Sequence, residues 1–320
     1  MTRLEAGGGY VVGAYIASPT ASAWDPAIEA EYLAALDADD RIAAFEMLWR
    51  GGLHMHDEDW LFANFPPRLG AVLSDAAHVF ITIAGGDEVY GIASTDAEGR
   101  ARGLRDVAAI RDDVHRFNDR LGRAVVSAVE LHPGPRPPHA AGAPLTHSLE
   151  EIAGWEWEGA ELVIEHSDAL VPDHAPEKGF LSLTHEIAAI TASHTDVGIA
   201  LNWGRSAIEF HDAARAVEHI FEARAAHLLR GYIFSGTSDQ NGVFDHPWVD
   251  AHNAFARSDA HPHGDPISVL TENSVRAAVA AIDGEAWLGL KIAYPSGLEG
   301  GVAERVAMIR DGLDALDRAR

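Results

Sequence analysis

The chain has 320 residues, with 49 acidic against 24 basic side chains and a formal net charge of −25. A field of that sign repels phosphate backbones and anionic lipid, so neither nucleic acid nor a membrane surface is expected as a partner. The absence of cysteine excludes disulfides, zinc–thiolate sites and thiol nucleophiles. The start, Met1-Thr2-Arg3-Leu4-Glu5-Ala6, lacks a cationic stretch followed by a long apolar run, and no apolar run approaches the ~18 residues that span a bilayer. The expectation is therefore a cytoplasmic protein.

Short runs rich in Val, Ile and Leu recur along the chain, separated by helical patterns. Taken in order, the predicted strands are Tyr10–Ser18, Ile42–Trp49, His78–Ala84, Ala124–His132, Ala160–His166, Val197–Trp203, Leu228–Ser235 and Trp287–Tyr294. The predicted helices are Ala27–Leu36, Ala101–Leu121, Leu149–Trp157, Phe180–Ser193, Ala213–Ala226, Ser274–Ile282 and Val302–Leu316. Between the second and third strands, Phe65-Pro66-Pro67 breaks any long helix, so Asp57–Leu73 reads as loop followed by a short helix. Parallel strands need crossover helices, and this alternation supplies them. The eight units predict one α/β domain over residues 1–320, a (β/α)8 (TIM) barrel. Its long loops, Pro133–Ala143 and Thr237–Asp265, follow strands four and seven. No Gly-x-Gly-x-x-Gly follows the first strand, which argues against an open dinucleotide-binding sheet.

Barrel active sites form at strand C-termini. Here those ends carry Glu46, Glu130 and His132, Glu165 and His166, Asn202 to Ser206, Ser235 and Lys291. A glutamate after Leu162-Val163-Ile164 is costly to bury unless paired, so Glu165 is the candidate general base. Alternation sends Glu165 and His166 to opposite sides of their strand. Lys291 lies among apolar residues; a buried amine with a lowered pKa suits an imine or charge stabilisation, and Glu165 and Lys291 are expected to meet across the mouth. Arginine serves almost everywhere else, the only other lysine being Lys178, which reads as ordinary surface. His132 is placed to shuttle a proton. Asn202, Trp203 and Arg205 offer an amide, a flat apolar face and a guanidinium suited to a carbohydrate, with Glu46, His56, His166 and Ser235 completing the substrate-binding set. Trp24, Trp49 and Trp248 are expected near loops on the same face.

The eight-strand layout with Glu165 on strand five resembles the xylose-isomerase-like barrels. The stretches Leu162-Val163-Ile164-Glu165-His166-Ser167-Asp168 and Leu201-Asn202-Trp203-Gly204-Arg205-Ser206 resemble a family labelled as sugar or sugar-phosphate isomerases. The resemblance implies a carbohydrate substrate, and for the epimerases of that superfamily a divalent metal held by Glu, Asp, His and Glu of strands five to eight. In this chain those places carry Glu165, Asn202, Ser235 and Lys291, so no metal and no other cofactor is expected. The leading expectation is an isomerase, epimerase or aldolase-type lyase acting on a small sugar. The alternatives are a metal-dependent hydrolase using His54, His56, His132, Glu165 and His166, and a sugar-binding barrel without catalysis. The oligomeric state is left open, a homo-oligomer included.

Overall fold

A computed structural model describes residues 4–242, 246–295 and 297–320. Met1 and residues 243–245 of the strand-seven loop lie outside the described residues. The strands are β1 (Tyr10–Val12), β2 (Ile42–Leu48), β3 (Gly70–Ser74), β4 (Val126–Leu131), β5 (Glu161–Glu165), β6 (Gly198–Asn202), β7 (Leu229–Phe234) and β8 (Trp287–Leu290). All pair in parallel, in chain order, and β1 closes on β8 through Val11 opposite Gly289. The expected (β/α)8 barrel is therefore the observed fold.

One strand is displaced from its expected place. The third strand is Gly70–Ser74, and His78–Ala84 belongs to a helix, Ala76–Ala84. A short apolar run reads equally well as strand or buried helix, and here the β-branched Val79, Ile81, Thr82 and Ile83 misdirect the choice. The helix Glu58–Asn64 comes before Pro66-Pro67, started by Asp57, whose carboxylate accepts from the Trp60 amide at 2.9 Å. Strand one is also shorter than expected, giving way to a helical turn, Ala14–Ala17. Strand eight stops at Leu290, so Lys291 is the first residue beyond it.

Inside the barrel, each strand contributes one residue to an apolar layer: Val11, Ala44, Val72, Ala128, Val163, Ala200, Ile233 and Trp287. The outer faces of the strands pack under the helices in a second, larger core. Trp287 is the bulky member of the inner layer, and it fits because β7 places Gly231 beside it. A Cβ at Gly231 would overlap the indole ring. Gly231→Ala should therefore destabilise the fold by about 1–3 kcal/mol, read as a lower urea midpoint. An unchanged midpoint would mean that the Trp287 ring is free to move aside.

Candidate functional site

Side chains of a strand alternate between faces, so the residue two beyond an inward one is again inward. Two residues above the apolar layer lie Gly13, Glu46, Ser74, Glu130, Glu165, Asn202 and Ser235; Lys291 lies four residues beyond Trp287, just past the end of β8. The barrel thus changes from hydrocarbon to charge within one layer. Glu46, Glu130 and Glu165 bring carboxylate oxygens within 4.8 Å of one another, and all three are buried.

Two cations answer these carboxylates. Lys291 Nζ donates to Glu46 Oε1 at 2.5 Å, and the Tyr15 hydroxyl donates to the same oxygen at 3.3 Å. Gly13 makes room, since a Cβ there would press on the Lys291 chain. Arg205 Nη1 lies 2.8 Å from Glu165 Oε1, and Arg205 Nε lies 3.3 Å from Asp250 Oδ2. His132 sits alongside. Its Nδ1 lies 2.8 Å from Asp75 Oδ1, and its Nε2 lies 3.0 Å both from Arg205 Nη1 and from Glu165 Oε2. Phe80 covers this group, with its ring 5.4 Å from that of His132 and 5.7 Å from the Arg205 guanidinium.

Burial and pairing push these groups apart in acidity. Burial alone would raise Glu165, but Arg205, Lys291 and His132 hold it well below the usual carboxylate range. Burial raises Glu46, only partly opposed by Lys291. Glu130 is raised well above its ordinary value by burial and by the facing Glu165 and Glu46. Burial would lower Lys291, yet Glu46, Tyr15 and Glu165 outweigh it and keep the ammonium charged. This corrects the expectation of a lowered amine pKa: an imine needs a neutral amine, and the site opposes one.

The residues singled out from sequence divide into three groups. Glu46, Glu165, Lys291, His132, Asn202, Arg205 and Ser235 converge at the mouth. Glu165 and Lys291 do not pair as expected, because each has a nearer partner. Arg205 turns Nη1 to Glu165 and His132 and Nε to Asp250, so this part of its fork is taken up by protein groups. Asn202 Oδ1 accepts from the Gly204 and Arg205 amides at 3.0 and 3.3 Å, capping the following helix. Ser235 Oγ lies 2.6 Å from His252 Nδ1. Trp203 and His166 leave the mouth: Trp203 is fully buried in the outer core and offers no stacking face, and His166 faces outward. His56 lies on an exposed loop, its ring stacked 5.1 Å from that of Trp24. Of the other loop tryptophans, Trp49 is buried, its Nε1 donating to Asp113 at 2.7 Å, and Trp248 stacks on His211.

Sequence reasoning put Glu130 at a strand end without giving it a role, and missed Asp75, Tyr15 and Asp250 as members of the site. Glu130 had a signal, since it follows inward Ala128 by two on a strand. Asp250 had none, because it reaches the site from a long loop. Lys178, expected at the surface, lies 3.6 Å from Asp250 and against the Phe80 ring. The loop after β5 folds back to put it there, with the Asp168 carboxylate accepting from the Lys178 amide at 2.9 Å.

A cleft of about 350 Å³ leads to Glu46. Tyr15, Trp24, His54, His56 and Tyr32 line it. A second cleft of about 520 Å³, between Phe80, Phe180, Arg136 and Lys178, ends at Phe80 above His132. Of the two, the smaller reaches an ionisable side chain of the inner layer.

Among the described residues, two clusters have spacing that could admit a metal ion: Glu46, Glu130 and Glu165 inside, and His166, Glu209 and His219 outside. Neither donor set fits one. In the inner trio Glu46 already holds an ammonium and Glu165 a guanidinium, which leaves Glu130 alone without a cation, and the places of the metal-binding residues that the resemblance implies carry a capping amide, a hydroxyl bonded to His252 and a cation. In the outer cluster, His166 Nδ1 is 2.7 Å from Glu186 Oε2 and Nε2 is 3.1 Å from Glu209 Oε2, which raises His166 to about 10 against the cost of burial and uses both ring nitrogens. The hydrolase ligand set is likewise dispersed, with His54 and His56 on the cleft rim and His166 behind the strand.

The sequence profile described as "Domain of unknown function (DUF4862)" matches residues 11–308. The chain belongs to this family. It is 30% identical over 319 residues to "Uncharacterized protein STM3670" of Salmonella typhimurium, covering 97% of each chain. Among solved structures it is similar to L-ribulose 3-epimerase, with a TM-score of 0.59 at 16% identity, covering 98% of this chain and 95% of that one. It is also similar to a xylose isomerase domain-containing protein of Salmonella typhimurium, with a TM-score of 0.58 at 10% identity and 99% of both chains covered. At these identities the likeness is one of fold: the chain shares the closed (β/α)8 barrel of these proteins.

The outer cluster yields a stability test. His166 titrates near 10 when folded against 6.5 as a free side chain. Its contribution is complete below about pH 6.5 and is lost as pH rises through 10. His166→Ala should cost on the order of 3–5 kcal/mol at about pH 6, since it strands two buried carboxylates. The gap between variant and wild type in thermal midpoint should narrow steadily towards pH 10. A gap that does not change with pH would mean His166 is neutral in the fold.

Proposed function

We propose that this protein is a sugar isomerase that moves a proton between neighbouring carbons of a small carbohydrate without a metal or other cofactor, using Glu46 and Lys291. The observation that carries the reading is the buried Lys291–Glu46 pair, whose Glu46 member lines the cleft. Proton removal beside a carbonyl needs a base and a group that stabilises the developing oxyanion. Glu46, raised by burial, is the better base of the paired carboxylates, and the Lys291 ammonium is a fixed positive charge for the oxygen. Sequence reasoning gives the base role to Glu165; its clamp by Arg205 and His132 supports a positioning role instead. The Trp24 and His56 rings offer the flat faces that sugar rings stack on.

Among the reaction classes open from sequence, the charged state of Lys291 disfavours an imine-forming lyase. Epimerisation by deprotonation places acid–base groups on both faces of one carbon, about 6–7 Å apart when each reacts from ~3–3.5 Å. The inner carboxylate oxygens lie within 4.8 Å, which favours removal and return of the proton on a single face. The similar solved epimerase adds support for a sugar substrate. One domain over the whole chain is part of the same proposal.

The test is proton exchange. Incubated in heavy water with chelator, pentuloses and hexuloses should gain one deuterium beside the carbonyl and yield the matching aldoses, read by NMR and mass spectrometry. Lys291→Met and Glu46→Gln should each lower the rate by at least about 100-fold. Borohydride added during turnover should leave no adduct on Lys291; an adduct there would restore the lyase reading. Saturable sugar binding with no exchange would make the protein a binding barrel.

A further inference from the structure

The inner layer holds one carboxylate more than its cations can match. Glu46 has Lys291, and Glu165 has Arg205. Asp250 faces Arg205 Nε and Lys178. Asp75 and His132 form a hydrogen-bonded pair of their own. Glu130, fully buried, has neither cation nor hydrogen-bond donor on either oxygen. A lone buried carboxylate costs several kcal/mol, and the ordinary remedy is a proton.

A second orphan lies beside it. Glu165 Oε2 is buried and receives no well-aligned hydrogen bond, although His132 Nε2 is 3.0 Å away. Glu130 therefore has hydrogen-bonding capacity and no partner, while Glu165 Oε2 has only His132 Nε2 nearby and no aligned donor. Their carboxylates are within 4.8 Å, a span covered by a small rotation or by one bridging water.

We propose that Glu130 is kept as a neutral carboxylic acid whose O–H serves Glu165 Oε2, and that it is a positioning residue holding the inner carboxylates in register for chemistry at Glu46. One proton balances the layer's charge and satisfies both orphans. The groups facing Glu130 are Glu46, Ser74, Glu165, Arg205 and Lys291, and of these only Arg205 and Lys291 oppose the proton. The positioning role rests on the isomerase reading; the neutral acid does not.

The experiment uses the intact protein with glutamate labelled at the carboxyl carbon. At about pH 7, NMR should show a Glu resonance at the neutral-acid position that is missing from Glu130→Gln and also from Glu130→Met, so that failure of one variant to fold leaves the other. A Glu130 resonance at the carboxylate position at that pH would overturn the proposal. With a turned-over ketose, Glu130→Gln, which keeps a donor, should stay within about 3-fold of wild-type kcat, and Glu130→Met should fall about 10-fold or more. The wild-type rate should also decline at alkaline pH as Glu130 loses its proton, and the Gln variant should lack that decline. Equal losses in Gln and Met would overturn the positioning role while leaving the NMR result to judge the neutral acid. Absence of any sugar turnover would count against the isomerase alone.

Discussion

The structure depends on cancelling charge among buried side chains. Carboxylates from β2, β4 and β5 stand directly on a layer of Val, Ala, Ile and Trp side chains. Such groups are tolerable only when each finds a cation, a donor or a proton. Arg205 is the hub of that arrangement. It rises from the helix after β6, meets Glu165 from β5 and His132 from beyond β4, and reaches Asp250 in the loop after β7. Four segments far apart in sequence are thereby tied to one guanidinium, whose planar fork gives several donors at fixed angles. The long loop after β7 owes part of its placement over the barrel to this contact.

The same logic operates on the other side of β5. Glu165 and His166 are neighbours, and the pleat sends one inward and the other outward. The outward histidine becomes a cation between Glu186 and Glu209, and His219 closes the group through Glu209 at 3.4 Å and Ser206 at 3.0 Å. Arg205 and Glu209 belong to one helix, Trp203–Phe210. That helix therefore joins two buried ionic networks, one in the barrel mouth and one beneath the helical layer. A shift of the helix would disturb both, which makes the mouth rigid where a reacting pair benefits from fixed geometry.

The barrel was legible in the sequence because strand and helix alternate and because most strands carry Val, Ile and Leu on both faces. Seven of the eight strands lie where the apolar runs predict. The third does not: Gly70–Ser74 is short and follows a Pro-Pro break, while the adjacent helix is richer in β-branched residues than the strand itself. The site was legible to the extent that it sits at strand ends. Glu46, Glu165, Asn202, Ser235 and Lys291 follow from position and alternation. Pairing did not follow, since sequence order says nothing of which carboxylate lies nearest the Lys291 ammonium across the barrel. Nor did Asp250 and Lys178, whose placement comes from loops that fold back over the mouth. Trp203 and Asn202 illustrate a further ambiguity, because the residue where a strand becomes a helix can serve substrate, core or cap, and here they serve core and cap.

The two lysines have a practical consequence. Both amines are at the mouth: Lys291 is buried against Glu46, and the Lys178 side chain is 15% exposed between Glu177 and Asp250. A chain of this size ordinarily presents many amines to acylating reagents. Here neither ε-amine stands free in solvent, so reagents aimed at lysine meet only the rim of the barrel. Amine labelling would therefore report on access to the mouth, and surface coupling of the protein is better directed at its carboxylates.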